Sequence, residues 1–246
     1  HKWMPEAQIY VLFVGEIPYI RGAHVTLLRE VMNEELVLAK SNRTSEEFLW
    51  TLASWWSWRL LQELDSVIYV DADTFFFNPL PKLKAKIAIC PHRWSPQHKK
   101  NLIANGIYNV GLIQFKKAAM QCATDWKDNV LEWCYYRNEG EKFGDQGYLN
   151  NWVKKYGAQS IRHRGINLGP WAQEQYDYCL NDDGTLFIEH GKRCDPLVLY
   201  HFHGYGSANK HDKGWSNYEL HPMVEQHVYA PYETEVAKWT FGSDPK

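Results

Sequence analysis

Two short motifs carry residue types able to do chemistry. Asp71-Ala72-Asp73 follows the apolar run Val67-Ile68-Tyr69-Val70. If the strand geometry continues past Val70, its period of two puts Asp71 and Asp73 on one side and Ala72 on the other. Two carboxylates that close repel, and one stays protonated unless a cation lies between them. A hard divalent ion such as Mg²⁺ or Mn²⁺ suits that oxygen set, particularly with a diphosphate supplying further oxygens. On the residues alone, a solvated turn capped by Asp73 is an equal reading. The second motif, His201-Phe202-His203-Gly204, ends the apolar run Leu197–Tyr200. Its two imidazoles share a face, and either one completes a metal site or simply bonds to backbone. Gly204 and Gly206 let backbone approach a ligand, and Lys210 and Lys213 beyond them suit phosphate.

Three further segments have a chemical and a plain reading each. Asn109, opening Tyr108-Asn109-Val110-Gly111-Leu112-Ile113-Gln114-Phe115, either bonds sugar hydroxyls or is a turn residue entering a strand. Asp145 and Gln146 in Phe143-Gly144-Asp145-Gln146-Gly147 begin a helix, where Asp145 is either an N-cap or a carboxylate facing the metal. Trp171, after Gly165-Ile166-Asn167-Leu168-Gly169-Pro170, either floors an acceptor pocket or anchors a loop.

The elements that position these residues alternate. Strands are expected at Ile9–Val14, the first of them covered on both faces, and at Val67–Val70, Lys86–Cys90 and Val110–Phe115. Helices are expected from Thr44/Ser45 to Asp65, over Ala118–Tyr135 and over Gln146–Tyr156. This order predicts an α/β sandwich with a mostly parallel sheet, whose ligand lies beyond the carboxyl ends of the strands. Pro222–Trp239 is a candidate helix for docking a partner or a membrane surface, although its apolar spacing is too irregular to carry that reading.

Composition narrows the classes. With 27 Lys+Arg against 29 Asp+Glu the chain is no general nucleic-acid binder. Five cysteines without a C-x-x-C pair fit reduced thiols in the cytoplasm better than a disulfide framework or a zinc site. No run is long enough to span a membrane. Aromatics reach 15% of the 246 residues, and indole faces suit sugars. Trp50, Trp55, Trp56 and Trp58 fall in one helix and read as core, whereas Trp94 and Trp171 lie in loops and are the better stacking candidates.

Taken in order, V-I-Y-V-D-A-D, Y-N-V-G-L-I-Q-F, G-D-Q-G-Y-L-N and L-Y-H-F-H-G resemble the nucleotide-sugar glycosyltransferases of the GT-A fold, especially the family 8 type. The resemblance spans roughly residues 5 to 205 and implies a GT-A, Rossmann-like three-layer sandwich over 1–206, with 207–246 as an extension of the same domain. It implies Mn²⁺ (or Mg²⁺) on Asp71 and Asp73 with His201 as third ligand, His203 being the alternative. It also implies Asn109 facing the donor sugar, and Asp145 and Gln146 beside its anomeric carbon. A metal-dependent, retaining transfer from a nucleotide sugar, with a UDP-sugar favoured, to a glycan, lipid-linked or protein acceptor follows, in the cytoplasm or at the inner face of a membrane. The chain departs from the family where Gly204 is followed by Tyr205-Gly206-Ser207-Ala208-Asn209-Lys210 instead of a nearby Lys-Pro-Trp, and where Gly147 stands in place of a second carboxylate. The family's first strand would lie upstream of His1-Lys2-Trp3-Met4-Pro5. Competing readings are a glycosidase using Asp71 and Asp145 as paired carboxylates without metal, and a sugar-binding protein with a structural Ca²⁺.

Overall fold

The computed structural model describes residues 2–15, 20–206 and 218–240. The chain is α/β, as its alternation predicts, and its layers are built around a four-stranded sheet. That sheet comprises β3 (Ser66–Val70), β5 (Ile87–Pro91), β6 (Tyr108–Lys116) and β7 (Gln159–Ser160), ordered β3-β6-β5-β7. β6 is antiparallel to both β3 and β5, and only β5 and β7 run parallel. The sheet is therefore mixed, not mostly parallel: a strand buried on both faces reads as one apolar run whichever way its neighbours point.

One face is covered by helices. Ser45–Glu63 starts at a capping box in which Thr44 accepts from the Glu47 N–H and Glu47 accepts from the Thr44 N–H. It packs with Met120–Glu132 and Trp152–Tyr156 over Ile87, Ile89, Ile113 and Phe115. Of its tryptophans, Trp55 is buried and Trp50, Trp56 and Trp58 are half-buried. The expected helix over Gln146–Tyr156 is split into a 3₁₀ segment, Gly147–Asn151, and a short α-helix.

A second sheet covers the other face: β4 (Thr74–Phe76), β8 (Ile166–Leu168) and β12 (Leu199–His201), ordered β4-β12-β8. Alternation along β12 sends Leu199 towards Ala88, Cys90 and Leu112 of the central sheet, and Tyr200 into an opposite cluster with Leu168, Trp171 and Ile188. That outer cluster is closed by the antiparallel strands β9 (Asp177–Leu180), β10 (Leu186–His190) and β11 (Arg193–Pro196). It is closed as well by Val224, Val228 and Tyr229 of the predicted C-terminal helix, which runs Pro222–Val224, a π-turn Glu225–Tyr229, and Ala230–Thr240.

The first strand is also corrected. β1 (Ile9–Phe13) does not lie in the central sheet with both faces covered; it pairs in parallel with β2 (Ala23–Leu27) in a separate two-stranded sheet, and Ile9 is 38% exposed. No helix among the described residues is long and apolar enough to cross a membrane.

Candidate functional site

The two motifs meet because of how the chain turns after β3. Asp71 still pairs, its N–H donating to the Gly111 carbonyl at 3.3 Å, and the Thr74 hydroxyl closes the turn on the Asp71 carbonyl at 2.8 Å. The chain then re-enters as β4, antiparallel to β12, with Thr74 opposite His201 and the Phe202 N–H donating to the Asp73 carbonyl at 2.7 Å. This pairing sets Asp73 beside both histidines. His201 Nε2 lies 3.1 Å from Asp73 Oδ1 and 3.8 Å from Asp71 Oδ2. Ligand atoms of Asp73, His201 and His203 lie within 4.8 Å of one another. Ala72 is exposed at the tip of the turn.

Behind these groups runs a buried polar chain that holds them. The Tyr69 hydroxyl donates to Asp71 Oδ1 at 2.6 Å. His201 Nδ1 meets Asn167 Oδ1 at 3.2 Å, the Asn167 amide donates to Asn109 Oδ1 at 2.8 Å, and that same oxygen accepts the Gly111 N–H at 2.8 Å. The Asn109 amide reaches His92 Nε2 at 3.3 Å, and Trp171 Nε1 donates to the His92 carbonyl at 2.7 Å. A carbonyl oxygen opposite Nδ1 places the proton there and leaves Nε2 turned to the carboxylates, the support a metal-ligating imidazole ordinarily has. Asn167 does this with φ at +56°, in the left-handed region that Asn tolerates better than most residues.

Electrostatics separate the three carboxyls. Burial pushes Asp71 up, with Asp73 adding to this and His201 and the Tyr69 hydrogen bond opposing it. For Asp73 burial acts upward too, but the hydrogen bond and charge of His201, with the charge of His203, hold it below the usual carboxylate range. Burial and the nearby Asp71 charge push Asp145 well above that range. Burial works against a charge on His201, yet Asp73 and Asp71 outweigh it and raise the imidazole. Burial drives His92 down to about 3, so its ring is neutral and accepts from Asn109.

The structure thus gathers Asp71, Asp73, His201 and His203, with Asp145 close enough to feel Asp71. Gln146 is half-buried and its amide donates to the Asn105 carbonyl at 2.9 Å. Asn109 is 9% exposed and its carbonyl oxygen is spent on Gly111 and Asn167, one layer behind the carboxylates and imidazoles. Gly204 and Gly206 take φ of +76° and +77° beside His203, conformations open to glycine. Lys210 and Lys213 lie outside the described residues. Trp171 is 2% exposed and packs edge-on against His201 at 5.2 Å, so it is the buried anchor and not a sugar platform. Trp94 is half-buried and stacks on His92 at 4.4 Å. Reasoning on sequence missed Asn167 and His92. The readable sign was a lone amide between the apolar Ile166 and Leu168.

No family model matches the chain. Two Bacillus subtilis (strain 168) proteins are similar in sequence. One is the uncharacterized protein YfnD, 26% identical over a 261-position alignment that takes in 97% of this chain and 82% of that protein. The other is the uncharacterized protein YfnF, 32% identical over 190 residues that cover 70% of this chain and 61% of that protein. Among solved structures, the apo form of mouse xyloside xylosyltransferase 1 aligns over 76% of each chain at 15% identity, with a TM-score of 0.35.

Proposed function

We propose that this chain is a metal-dependent glycosyltransferase that moves a sugar from a nucleotide diphosphate, a UDP-sugar first among the candidates, to a hydroxyl acceptor with retention. The observation that carries the reading is the convergence of Asp71 and Asp73 with the braced Nε2 of His201 at the carboxyl ends of β3 and β12. The donor set fits Mn²⁺ or Mg²⁺: oxygens from two carboxylates, nitrogen from His201 or His203, and an outer shell of Tyr69 and Asn167. When bound, such an ion supplies Lewis-acid stabilisation for charge building on a leaving diphosphate.

The chain's own residues do the rest. Tyr69 and Asn167 hold Asp71 and His201 in place so that little reorganisation accompanies reaction. Gly204 and Gly206 let backbone approach the phosphates. Asp145 and Gln146 flank the donor sugar, where oxygen atoms steady a developing oxocarbenium ion. The departing phosphate oxygen takes the acceptor's proton, which keeps attack on the face that the leaving group vacates. Retention and the choice of donor rest on the sequence resemblance.

One observation favours a second reading. A buried Asp145, pushed up by burial and by the charge of Asp71 beside it, is also the pairing of raised acid and carboxylate that a glycosidase uses. A panel of nucleotide sugars, scored for slow hydrolysis with Mn²⁺ and again with a chelator, separates the two. Metal-dependent release of a nucleoside diphosphate supports transfer, and chelator-resistant cleavage of simple glycosides overturns it.

A further inference from the structure

A polar cavity of about 290 Å³ opens between the loop after β7 and the β10–β11 hairpin. Four guanidinium groups line it, Arg93, Arg162, Arg164 and Arg193, together with His190 and Ser160. Two of the four are already used. Arg93 donates to the carbonyls of Ile161, His163 and Ile166 at 2.9 to 3.2 Å, and Arg164 pairs with Asp195 at 3.3 Å. Arg162 and Arg193 are exposed, and among the described residues neither has an ion pair. Asp195 is the one acidic partner that these guanidinium groups have among the described residues.

Such crowding of like charge costs free energy unless an anion offsets it. Planar guanidinium forks match the oxygens of a phosphate, and the volume lies at the small end of ligand cavities. Arg93 takes φ of +54°, a strained conformation for a long side chain, and this local fold sends adjacent residues to different duties. His92 meets Asn109 in the polar chain behind the candidate metal site, while Arg93 lines the cavity.

We propose that this cavity is an oxyanion site that binds a single phosphate group, either as free phosphate or as the monoester of a small sugar. The site is separate from the carboxylate–histidine cluster and stands whether or not the transferase reading does.

The test is calorimetric titration of the full chain at low ionic strength in EDTA, which removes any binding through divalent metal. Inorganic phosphate and glucose 1-phosphate are the two probes. The wild type should bind phosphate one to one, at least tenfold more weakly in Arg162→Ala and in Arg193→Ala, and more weakly as salt rises. Arg193→Lys, which keeps the charge without the fork, should fall between. Asp73→Asn should bind as the wild type does. Tighter binding of the ester identifies a phosphorylated sugar as the occupant, and equal or weaker binding identifies free phosphate. Absence of saturable binding of both probes overturns the proposal, as does equal affinity in both alanine variants. Thermal melts of the variants verify that they fold.

Discussion

Gly111→Ala offers the sharpest test of the polar chain behind the site. A Cβ at Gly111 would stand 2.5 Å from Asn167 Oδ1, 2.5 Å from His201 Nδ1 and 2.6 Å from Asn109 Oδ1. Those separations are roughly 1 Å inside the ~3.5 Å of an ordinary contact, so the three side chains must retreat together. Retreat breaks or stretches the bonds that join them, 3.2 Å between His201 and Asn167 and 2.8 Å between Asn167 and Asn109. A buried hydrogen bond left unmade costs about 1–3 kcal/mol, so losing two costs roughly 3 kcal/mol or more. In a domain of this size that corresponds to a fall of about 10 °C in Tm. Freeing the His201 ring should also weaken Mn²⁺ binding by about 10- to 100-fold, the usual scale for removing support of a ligand. The assay is thermal unfolding in EDTA combined with Mn²⁺ titration, run on Gly111→Ala, Asn167→Ala and the double variant. Because Asn167→Ala removes one obstructing amide, the two changes should be less than additive by about 1 kcal/mol. A Gly111→Ala protein with unchanged Tm and unchanged Mn²⁺ affinity would refute the reasoning.

Further outcomes follow from the same geometry. Asp71→Asn should abolish metal-dependent turnover while far-UV dichroism and Tm stay near wild type; full activity in that variant removes the metal assignment. His92 has a folded pKa of about 3 against 6.5 for the ordinary group, so between those values the unfolded chain binds the extra proton. Stability should therefore fall as pH drops from 6.5 towards 3, and His92→Gln, which keeps an acceptor for Asn109, should flatten that slope in Tm-against-pH curves; an identical slope counts against a neutral buried ring. Thiol titration of the native protein should find Cys179 and Cys194 accessible but slow, since burial and Glu189 raise both thiols, with Cys90, Cys122 and Cys134 released only on unfolding, since all three are buried. Cys179 and Cys194 lie on the outer strands of a three-stranded sheet, which puts their Cα atoms roughly 10 Å apart at two strand spacings; their sulfurs approach within 4.8 Å, but that backbone separation is beyond an unstrained disulfide, so mild oxidation should not join them within one chain. A rapid intramolecular disulfide would contradict that register.

The candidate ligands were legible because each ends an apolar run, and an apolar run ending in charge at a sheet edge is a local pattern. Asp71-Ala72-Asp73 and His201-Phe202-His203 carry that pattern in a handful of residues, and alternation along β12 already assigns His201 to the face opposite Tyr200 and Phe202. What brings them together is not local. Thr74 pairs with His201 only because β4 folds back against β12, a contact across more than a hundred residues. Strand direction was hidden for a related reason: β6 is buried along nearly its whole length, and such a strand gives the same apolar run beside parallel or antiparallel neighbours. Asn109 and Trp171 were legible as special residues but not in their duty. An amide that braces a histidine and one that meets a sugar look alike until the Asn167 contact is seen. The same holds for the cysteines. Their spacing gives no motif, yet three paired strands bring Cys179 and Cys194 to within 4.8 Å of the Glu189 carboxylate and of each other.

The most direct measurement is a Mn²⁺ titration followed by electron paramagnetic resonance, with and without UDP, on the wild type and on Asp73→Asn. The account predicts one bound Mn²⁺ per chain, tightened by UDP because the diphosphate supplies further oxygens, and loss of both effects in Asp73→Asn. Stoichiometric Mn²⁺ binding that UDP leaves unchanged, or that survives in Asp73→Asn, would contradict it.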